Sequence, residues 1–309
     1  MMSIGKQDMR NKPELSIVIL NYNTTALLDD CLKSLGKVRR EADFEIIVAD
    51  NGSTDSSTEM LSEKYPRVKL VKNGANLGFA KGNNAARGLT KGEFVLFLNT
   101  DTIVKKNALA QTLAYLRKNG RVGALTCKLV LPDGTLDKDA RRSFPTPWVA
   151  FTHLALPLDR IFPKSRLFAR YWYGYKSSNE VHETDVIQGA FFLVRKSVLD
   201  EVGWFDEDYF LDGEDIDLCW KIRQKGYQII YYPKVSIIHL KGITKGKNKI
   251  ALRAVPLKEK MRFRMSGVNS MEIFYRKRLW RRYPILLSFL VILGIKLVKL
   301  LRLVKLIFQ

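Results

Sequence analysis

The chain is poor in cysteine: Cys31, Cys127 and Cys219 are the three among 309 residues, far apart and never in a CxxC spacing. That excludes a disulfide framework and points to a reducing compartment. Acidic residues are also scarce, 31 against 52 Lys and Arg, for a net charge of +21. The N-terminal MMSIGKQDMRNKPE lacks the apolar run of a signal peptide, so export is not expected. The apolar stretch PILLSFLVILGI (284–295) offers roughly 18 Å of helix against a hydrocarbon layer of roughly 30 Å, too short to span alone. There is no internal repeat and no low-complexity tract. What remains is 46% hydrophobic and 11% aromatic, enough for one large domain or a domain with an appendage.

A charge of +21 invites a nucleic-acid reading, but its location argues otherwise. Residues 241–309 hold 18 Lys and Arg against two acids, Glu259 and Glu272, so 16 of the 21 net charges lie in a C-terminal tail. That tail is also the most apolar part of the chain. A nucleic-acid-binding protein, kept as an alternative, would explain the charge and leave the acids at strand ends unexplained.

The first hundred residues alternate between strand and helix patterns. LSIVIL (15–20), FEIIVAD (44–50), VKLV (68–71) and EFVLFLN (93–99) are short apolar runs of the kind buried on both faces of a parallel sheet. Helical patterns at 24–35 and 56–64, and one opened by NLGFAKGNNAARG, separate them. This order predicts an α/β fold with right-handed crossovers and a doubly wound, mainly parallel sheet. VGALTCKLVL and TDVIQGAFFLVR read as further strands around a long aromatic and Arg-rich excursion, roughly 133–183, and QIIYYP and VSIIHL close the sheet.

In such a sheet ligands bind beyond the carboxyl ends of the strands. Asn21-Tyr22-Asn23, Asp50-Asn51 and Asn99-Thr100-Asp101 stand there. A strand-end Asp is a common turn former, so each acid alone reads either way. No GxGxxG follows the first strand, which weakens a dinucleotide site. Acids at strand ends suit contacts to a base or ribose, and hard cations such as Mg²⁺ or Mn²⁺, which take carboxylate oxygen and few protein ligands. Gly74, Gly78 and Gly82, with Lys81 between, fit either backbone N–H contacts to phosphate or tight helix–sheet packing. FLDGEDIDLCWKIRQKG (210–226) clusters Asp212, Glu214, Asp215 and Asp217 before a helical pattern. Capping by Asp212 and the helix dipole is one account of the cluster; a catalytic site is the other.

LSIVILNYN, IIVADNGSTDSS, NLGFAKGNN, LFLNTDT, QGAFFLVRKSVLDEVGWFDEDYFLDGEDIDLCWKIRQKGY and IIHLKG follow the order seen in family 2 glycosyltransferases of the GT-A fold. The chain resembles this family over about residues 14–245, and most of all its rhamnosyltransferase-like bacterial members that build surface polysaccharides. The resemblance implies metal-dependent, inverting transfer of a sugar from a nucleoside diphosphate donor, dTDP- or UDP-linked. It implies that Asn21, Tyr22, Asn23, Asp50, Asn51, Asn76, Gly78, Lys81, Asn99 and Asp101 contact the donor. Asp101 and His239 would hold the metal, Mg²⁺ or Mn²⁺, with Asn99 replacing the first acid of the usual Asp-x-Asp. Asp215 matches the general base, Glu214 would orient it or the acceptor, and Asp212 and Asp217 read as capping and surface groups. Gly189 and Trp204 fall on the acceptor side, Trp204 equally well in the core.

The reading divides the chain into a glycosyltransferase domain at 1–245, with a nucleotide-sugar half (about 14–120) and an acceptor half (about 121–245), and a basic, apolar region at 246–309. Lys296, Lys299, Arg302 and Lys305 recur every third residue on one half of a helix. A helix lying on an anionic membrane surface fits that pattern. Docking on its own domain or on another subunit, and a tilted span, are the alternatives. Peripheral or monotopic attachment at the cytoplasmic face of the cell membrane and a lipid-linked or polysaccharide acceptor are expected. No nucleic acid is expected, and a homo-oligomer is left open. A catalytically inactive scaffold is the main competing reading. NYNTT after the first strand disfavours a sugar-phosphate nucleotidyltransferase, and the lack of a QxxRW motif and of multiple spans disfavours a processive synthase.

Overall fold

The computed structural model of the protein describes residues 12–241 and 257–307. Inside the parallel half of its main sheet lies β1 (Leu15–Asn21), buried on both faces. β2 (Phe44–Asp50) pairs with it on one side, with β3 (Lys69–Lys72) beyond, and β4 (Phe94–Asn99) pairs on the other, all parallel. The remaining strands are β5 (Thr102–Ile103), β6 (Val122–Val130), β7 (Arg141–Arg142), β8 (His182–Glu183), β9 (Val186–Ile187), β10 (Phe191–Arg195) and β11 (Gln228–His239). β10 lies antiparallel between β4 and β6, β11 runs parallel to β6, and β5 and β8 pair antiparallel with β11. β7 and β9 form a separate two-stranded ribbon.

The expected parallel order therefore holds for β1 to β4, and the sheet turns mixed at β10. A parallel return needs a long crossover, usually a helix. Between β6 and β10 the helices are short, α5 (Pro147–Ala150) and α6 (Leu158–Ile161) in our numbering. QIIYYP and VSIIHL merge into the single strand β11, whose register shifts between Tyr232 and Ser236. Pro233 lies inside that shift, where its missing N–H is tolerated.

Both faces of the sheet are covered. On one, Leu28, Leu32 and Leu35 of α1 (Thr25–Lys37) and Leu109, Leu113 and Leu116 of α4 (Ala108–Lys118) pack against β1, β4 and β6, with α2 (Ser57–Lys64) alongside. Their i, i+4, i+7 spacing is the stripe that a surface helix turns inward. The other face takes α3 (Phe79–Asn84), α7 (Lys196–Val202) and α8 (Glu214–Gln224), through Ala80, Val198, Leu199, Leu218 and Ile222. None of the three buried cysteines forms a disulfide.

The C-terminal region is docked on the domain. α9 (Leu257–Phe274) continues through a π-helical turn (Tyr275–Leu279) and leads to α10 (Ile285–Ile307). Val268, Phe274, Tyr275, Leu279, Ile292 and Ile295 bury Tyr209 and Trp220 of the domain in a third core. Docking on its own domain, one of the expected alternatives, thus holds for α9 and for one face of α10. The division at 245/246 lies outside the described residues. α10 is apolar on two sides: Ile292 and Ile295 point inward, while Leu286, Leu290, Leu293, Leu297 and Leu301 are exposed. Among the described residues no helix is long and apolar enough to cross a membrane.

Asp217, expected at the surface, is instead 0% exposed. Its two oxygens accept from Arg278 Nε at 2.6 Å and Nη2 at 3.0 Å. Two-point guanidinium contact is the strong form of an ion pair, and removing one partner leaves a buried charge. Arg278→Ala is expected to cost about 3 kcal/mol of unfolding free energy, read from urea denaturation. Adding Asp217→Asn should recover part of that loss, because no buried carboxylate then lacks its cation.

Candidate active site

A single cleft opens at the carboxyl ends of β1, β2 and β4. Of the residues singled out in the sequence, Tyr22, Asn51, Asn76, Gly78, Asn99, Gly189, Asp212, Glu214 and Asp215 line it together. Residues separated by nearly two hundred positions thus share one cavity, because the strands end side by side and α8 starts above them.

Other predicted residues stand behind this wall. Asp50, 3% exposed, accepts from Asn21 Nδ2 at 2.9 Å and from the Ser53 N–H and hydroxyl at 2.9 and 2.6 Å. It ties the ends of β1 and β2 together. Asn23 does the same from outside, its side-chain oxygen accepting from the Thr54 N–H at 2.7 Å. Asn51 donates to the Gly78 carbonyl at 3.0 Å and so fixes the third loop to the second.

Gly78 takes φ +86°, and a Cβ there would lie 2.3 Å from the Phe210 carbonyl oxygen. Only glycine admits that approach. The N–H groups of this turn are engaged internally, Gly78 on Asn76 Oδ1 at 3.1 Å and Phe79 on the Phe210 carbonyl at 2.6 Å. The loop therefore braces the 210 segment, and phosphate contact through these N–H groups is not what they are used for. Lys81 is exposed and outside the cleft lining. Trp204 is fully buried, its indole donating to Asp200 at 2.9 Å and its ring edge-on to Phe97. Of its two readings the core one describes its position.

Asp101 and His239 meet because β5 pairs with the end of β11 in the register His239 to Thr102. Asp101 Oδ1 lies 3.4 Å from His239 Nε2, and His239 Nδ1 lies 2.8 Å from Asp137 Oδ2. The same Asp137 takes Lys241 Nζ at 2.5 Å, and Lys241 also pairs with Asp139. Burial works against a charged His239, but the hydrogen bonds and charges of Asp101 and Asp137 outweigh it and hold its pKa up to about 9. Burial likewise opposes ionised Asp137, and His239 with Lys241 reverses that and brings it down to about 2.

A divalent cation held here would take the place of the His239 proton. A carboxylate oxygen and an imidazole nitrogen adjoin, and a second carboxylate fixes the other ring nitrogen, as happens behind metal-ligating histidines. Asp137 lies on the far side of the ring, and among the described residues no three His, Cys, Asp or Glu side chains converge on one point. Asp101 and His239 would be the protein ligands, and a hard cation would draw its other oxygens from a bound diphosphate or water.

The acidic cluster is resolved acid by acid. Asp212 (φ +64°) and Gly213 (φ +96°) both adopt left-handed backbone, and α8 has no side-chain cap, so Asp212 is not the expected N-cap. Asp215 is buried; its Oδ2 accepts from Arg142 Nη2 at 2.5 Å and its Oδ1 from the Ile216 N–H at 2.8 Å. Burial disfavours the charged Arg142, yet Asp215, with Tyr171 and Asp139, raises its pKa above the ordinary value. Arg142 and Asp139 both line the cleft. Neither they nor Asp137 were singled out in the sequence. LPDGTLDKDARR (131–142) is a charged loop whose signal is its unusual density of acids and arginines, without a motif.

Three comparisons bear on this geometry. The family described as "Glycosyl transferase family 2" matches residues 16–203. The N-acetylglucosaminyl-diphospho-decaprenol L-rhamnosyltransferase of Mycobacterium tuberculosis is 28% identical over 247 residues, covering 76% of this chain and 78% of that one. The rhamnosyltransferase WbbL of Escherichia coli K12 is 26% identical over 231 residues, covering 72% and 82%. In fold, the chain is similar to the mannosyltransferase PcManGT from Pyrobaculum calidifontis, solved with GDP-Man and Mn²⁺. The TM-score is 0.55 at 18% identity, over 87% of this chain and 66% of that one.

Next to Arg142, Arg141 Nη1 lies 3.0 Å from His182 Nε2, while His182 Nδ1 lies 2.8 Å from the Glu180 carbonyl. Nδ1 must carry the hydrogen to bond a carbonyl, so Nε2 accepts from Arg141. Burial, then the Arg141 charge, push the His182 pKa down to about 4. With the folded value below the unfolded 6.5, the unfolded chain takes up the proton first. The stability this histidine contributes is present above about pH 6.5 and is lost as pH falls toward about 4. In urea titrations at pH 7.0 and 4.5, His182→Gln is expected to lose less stability on acidification than the unsubstituted protein.

Proposed function

The chain belongs to glycosyl transferase family 2, and from that premise we propose that it is an inverting rhamnosyltransferase. Its donor would be a dTDP- or UDP-linked sugar and its acceptor a sugar on a lipid diphosphate or a growing polysaccharide. The Mycobacterium tuberculosis relative, whose name gives it a diphospho-decaprenol acceptor, supports the lipid-linked form. The observation that carries the reading is Asp215, held in the donor cleft by Arg142.

In this mechanism Tyr22, Asn51, Asn76 and Asn99 hold the donor at the strand ends. An acceptor hydroxyl loses its proton to Asp215 as its oxygen bonds to the anomeric carbon, and the bond from that carbon to the nucleoside diphosphate breaks. Attack from the side opposite the leaving group inverts the centre. Arg142 keeps the Asp215 carboxylate aimed, and the Ile216 N–H fixes its second oxygen, so a lone pair remains for the incoming proton. Bound between Asp101 and His239, Mg²⁺ or Mn²⁺ would supply positive charge to the departing diphosphate. Asp137 orients His239, and Lys241 offsets the charge of Asp137 and Asp139.

We assign attachment to the cytoplasmic face of the membrane to α10. Its outward leucines form a long apolar stripe, and the exposed Lys296, Arg302 and Lys305 follow the same helix, the pattern of a segment lying among anionic headgroups.

Two experiments test this. Asp215→Asn should lower sugar transfer by about 10²-fold or more while leaving donor affinity, measured by calorimetry, within a few-fold. Transfer equal to that of the unsubstituted protein would leave the scaffold reading in its place. Leu293→Glu with Leu297→Glu should abolish sedimentation with phosphatidylglycerol vesicles without lowering the melting temperature, since both side chains already face solvent. Undiminished sedimentation would end the assignment of α10.

A further inference from the structure

A second cavity, about 500 Å³, lies between α9, α10 and the loop at 208–210. Phe210, Arg262, Asn269, Glu272, Arg276 and Lys299 line it. Two acids also line it, and both are already matched, Glu272 by Arg276 at 2.8 Å and Asp208 by Lys277 at 2.5 Å. Arg262 and Lys299 have no carboxylate partner among the described residues. The Arg262 guanidinium stacks on the Phe210 ring, 3.5 Å from its centroid. Stacking uses the face of the guanidinium and leaves the N–H groups along its edge available. Asn269 adds a buried amide oxygen without a partner, and turning that amide over presents its NH₂ group instead.

The position is as informative as the charge. Phe210 walls both this cavity and the active-site cleft, and Phe263, the neighbour of Arg262 on α9, lines the cleft with its ring 5.7 Å from that of Phe210. On the other side stands α10, whose Lys299 lines the cavity and whose leucines are exposed. Cleft, cationic cavity and apolar helix therefore adjoin in that order. A sugar joined through a diphosphate to a lipid carries the same three chemistries in the same order.

We propose that this cavity is a diphosphate-binding subsite, in which Arg262 and Lys299 hold the diphosphate of a lipid-linked acceptor while its sugar reaches Asp215. The assignment rests on the glycosyltransferase reading above and names the acceptor class for it. Charge-assisted bonds from an arginine fork and a lysine suit phosphate oxygens, which a neutral lipid alcohol lacks.

The test is binding of farnesyl diphosphate to the full chain in detergent micelles with EDTA and no donor, followed by calorimetry. Farnesyl diphosphate is expected to bind at least about ten-fold more tightly than farnesol. Arg262→Gln with Lys299→Gln should erase that preference, and the charge-retaining pair Arg262→Lys with Lys299→Arg should keep most of it, which separates lost charge from lost folding. Equal binding of the two probes, or a preference that survives the neutral pair, would overturn the proposal. So would a neutral pair that loses only sedimentation with phosphatidylglycerol vesicles, because the cavity would then serve bilayer headgroups. No sugar is transferred in this measurement, so its failure leaves the role of Asp215 standing, and failure of transfer leaves the binding result intact.

Discussion

Three carboxylates at the start of α8, Glu214, Asp215 and Asp217, are buried within four residues of one another, and the architecture around the cleft answers that repulsion. Arg142, from strand β7 within the aromatic excursion, takes Asp215; Arg278, from the turn after α9, takes Asp217. Each cation comes from a segment more than sixty positions away. Buried charge demands a partner, and the partner's arrival fixes the position of the segment that carries it. The acidic segment thus holds the excursion on one side and the C-terminal helices on the other. Its own apolar residues then pack where those helices can bury them.

A second set of charges reaches the cleft from below. Asp101, His239, Asp137, Lys241 and Asp139 alternate in sign, beginning at a strand end and finishing in the cleft lining. Asn99 stands where an Asp-x-Asp motif would have its first acid. Asp137 restores negative charge to the same neighbourhood, acting through His239 and not as a direct neighbour of Asp101. In the proposed mechanism the two ends of the displacement, proton uptake and charge on the leaving group, would be served by separate ion-pair systems. Asp139 and Arg142, both in the cleft lining, are where those systems approach one another.

α9 and α10 extend this logic to the outside of the molecule. Their inward residues complete a core around Tyr209 and Trp220, and Phe263 of α9 packs on Phe210 in the cleft wall. α9 consequently borders both the cleft at the strand ends and the cationic cavity, and α10 shows solvent a leucine-rich side. A tail read from its sequence alone resembles an appendage. Packed against the domain, it completes the third core and contributes Phe263 to the cleft wall.

Local pattern determined much of this protein. Short apolar runs, helical stripes at three and four, and polar residues at strand ends made β1 to β4, their crossovers and the lining residues Tyr22, Asn51 and Asn99 legible, since each signal lies within a few positions of itself; for Asp215 the local pattern left capping and catalysis open, and the family resemblance singled it out. Only tertiary structure decided which acids are buried, that Asp217 is an anchor, that Gly78 braces Phe210, and that Trp204 belongs to the core. Arg142 and Asp137 acquire their roles from partners about seventy and a hundred positions away. Burial and charge pairing are properties of residues brought together across the chain, so no local spacing encodes them, and the mixed half of the sheet, which brings them together, has no periodic signature of its own.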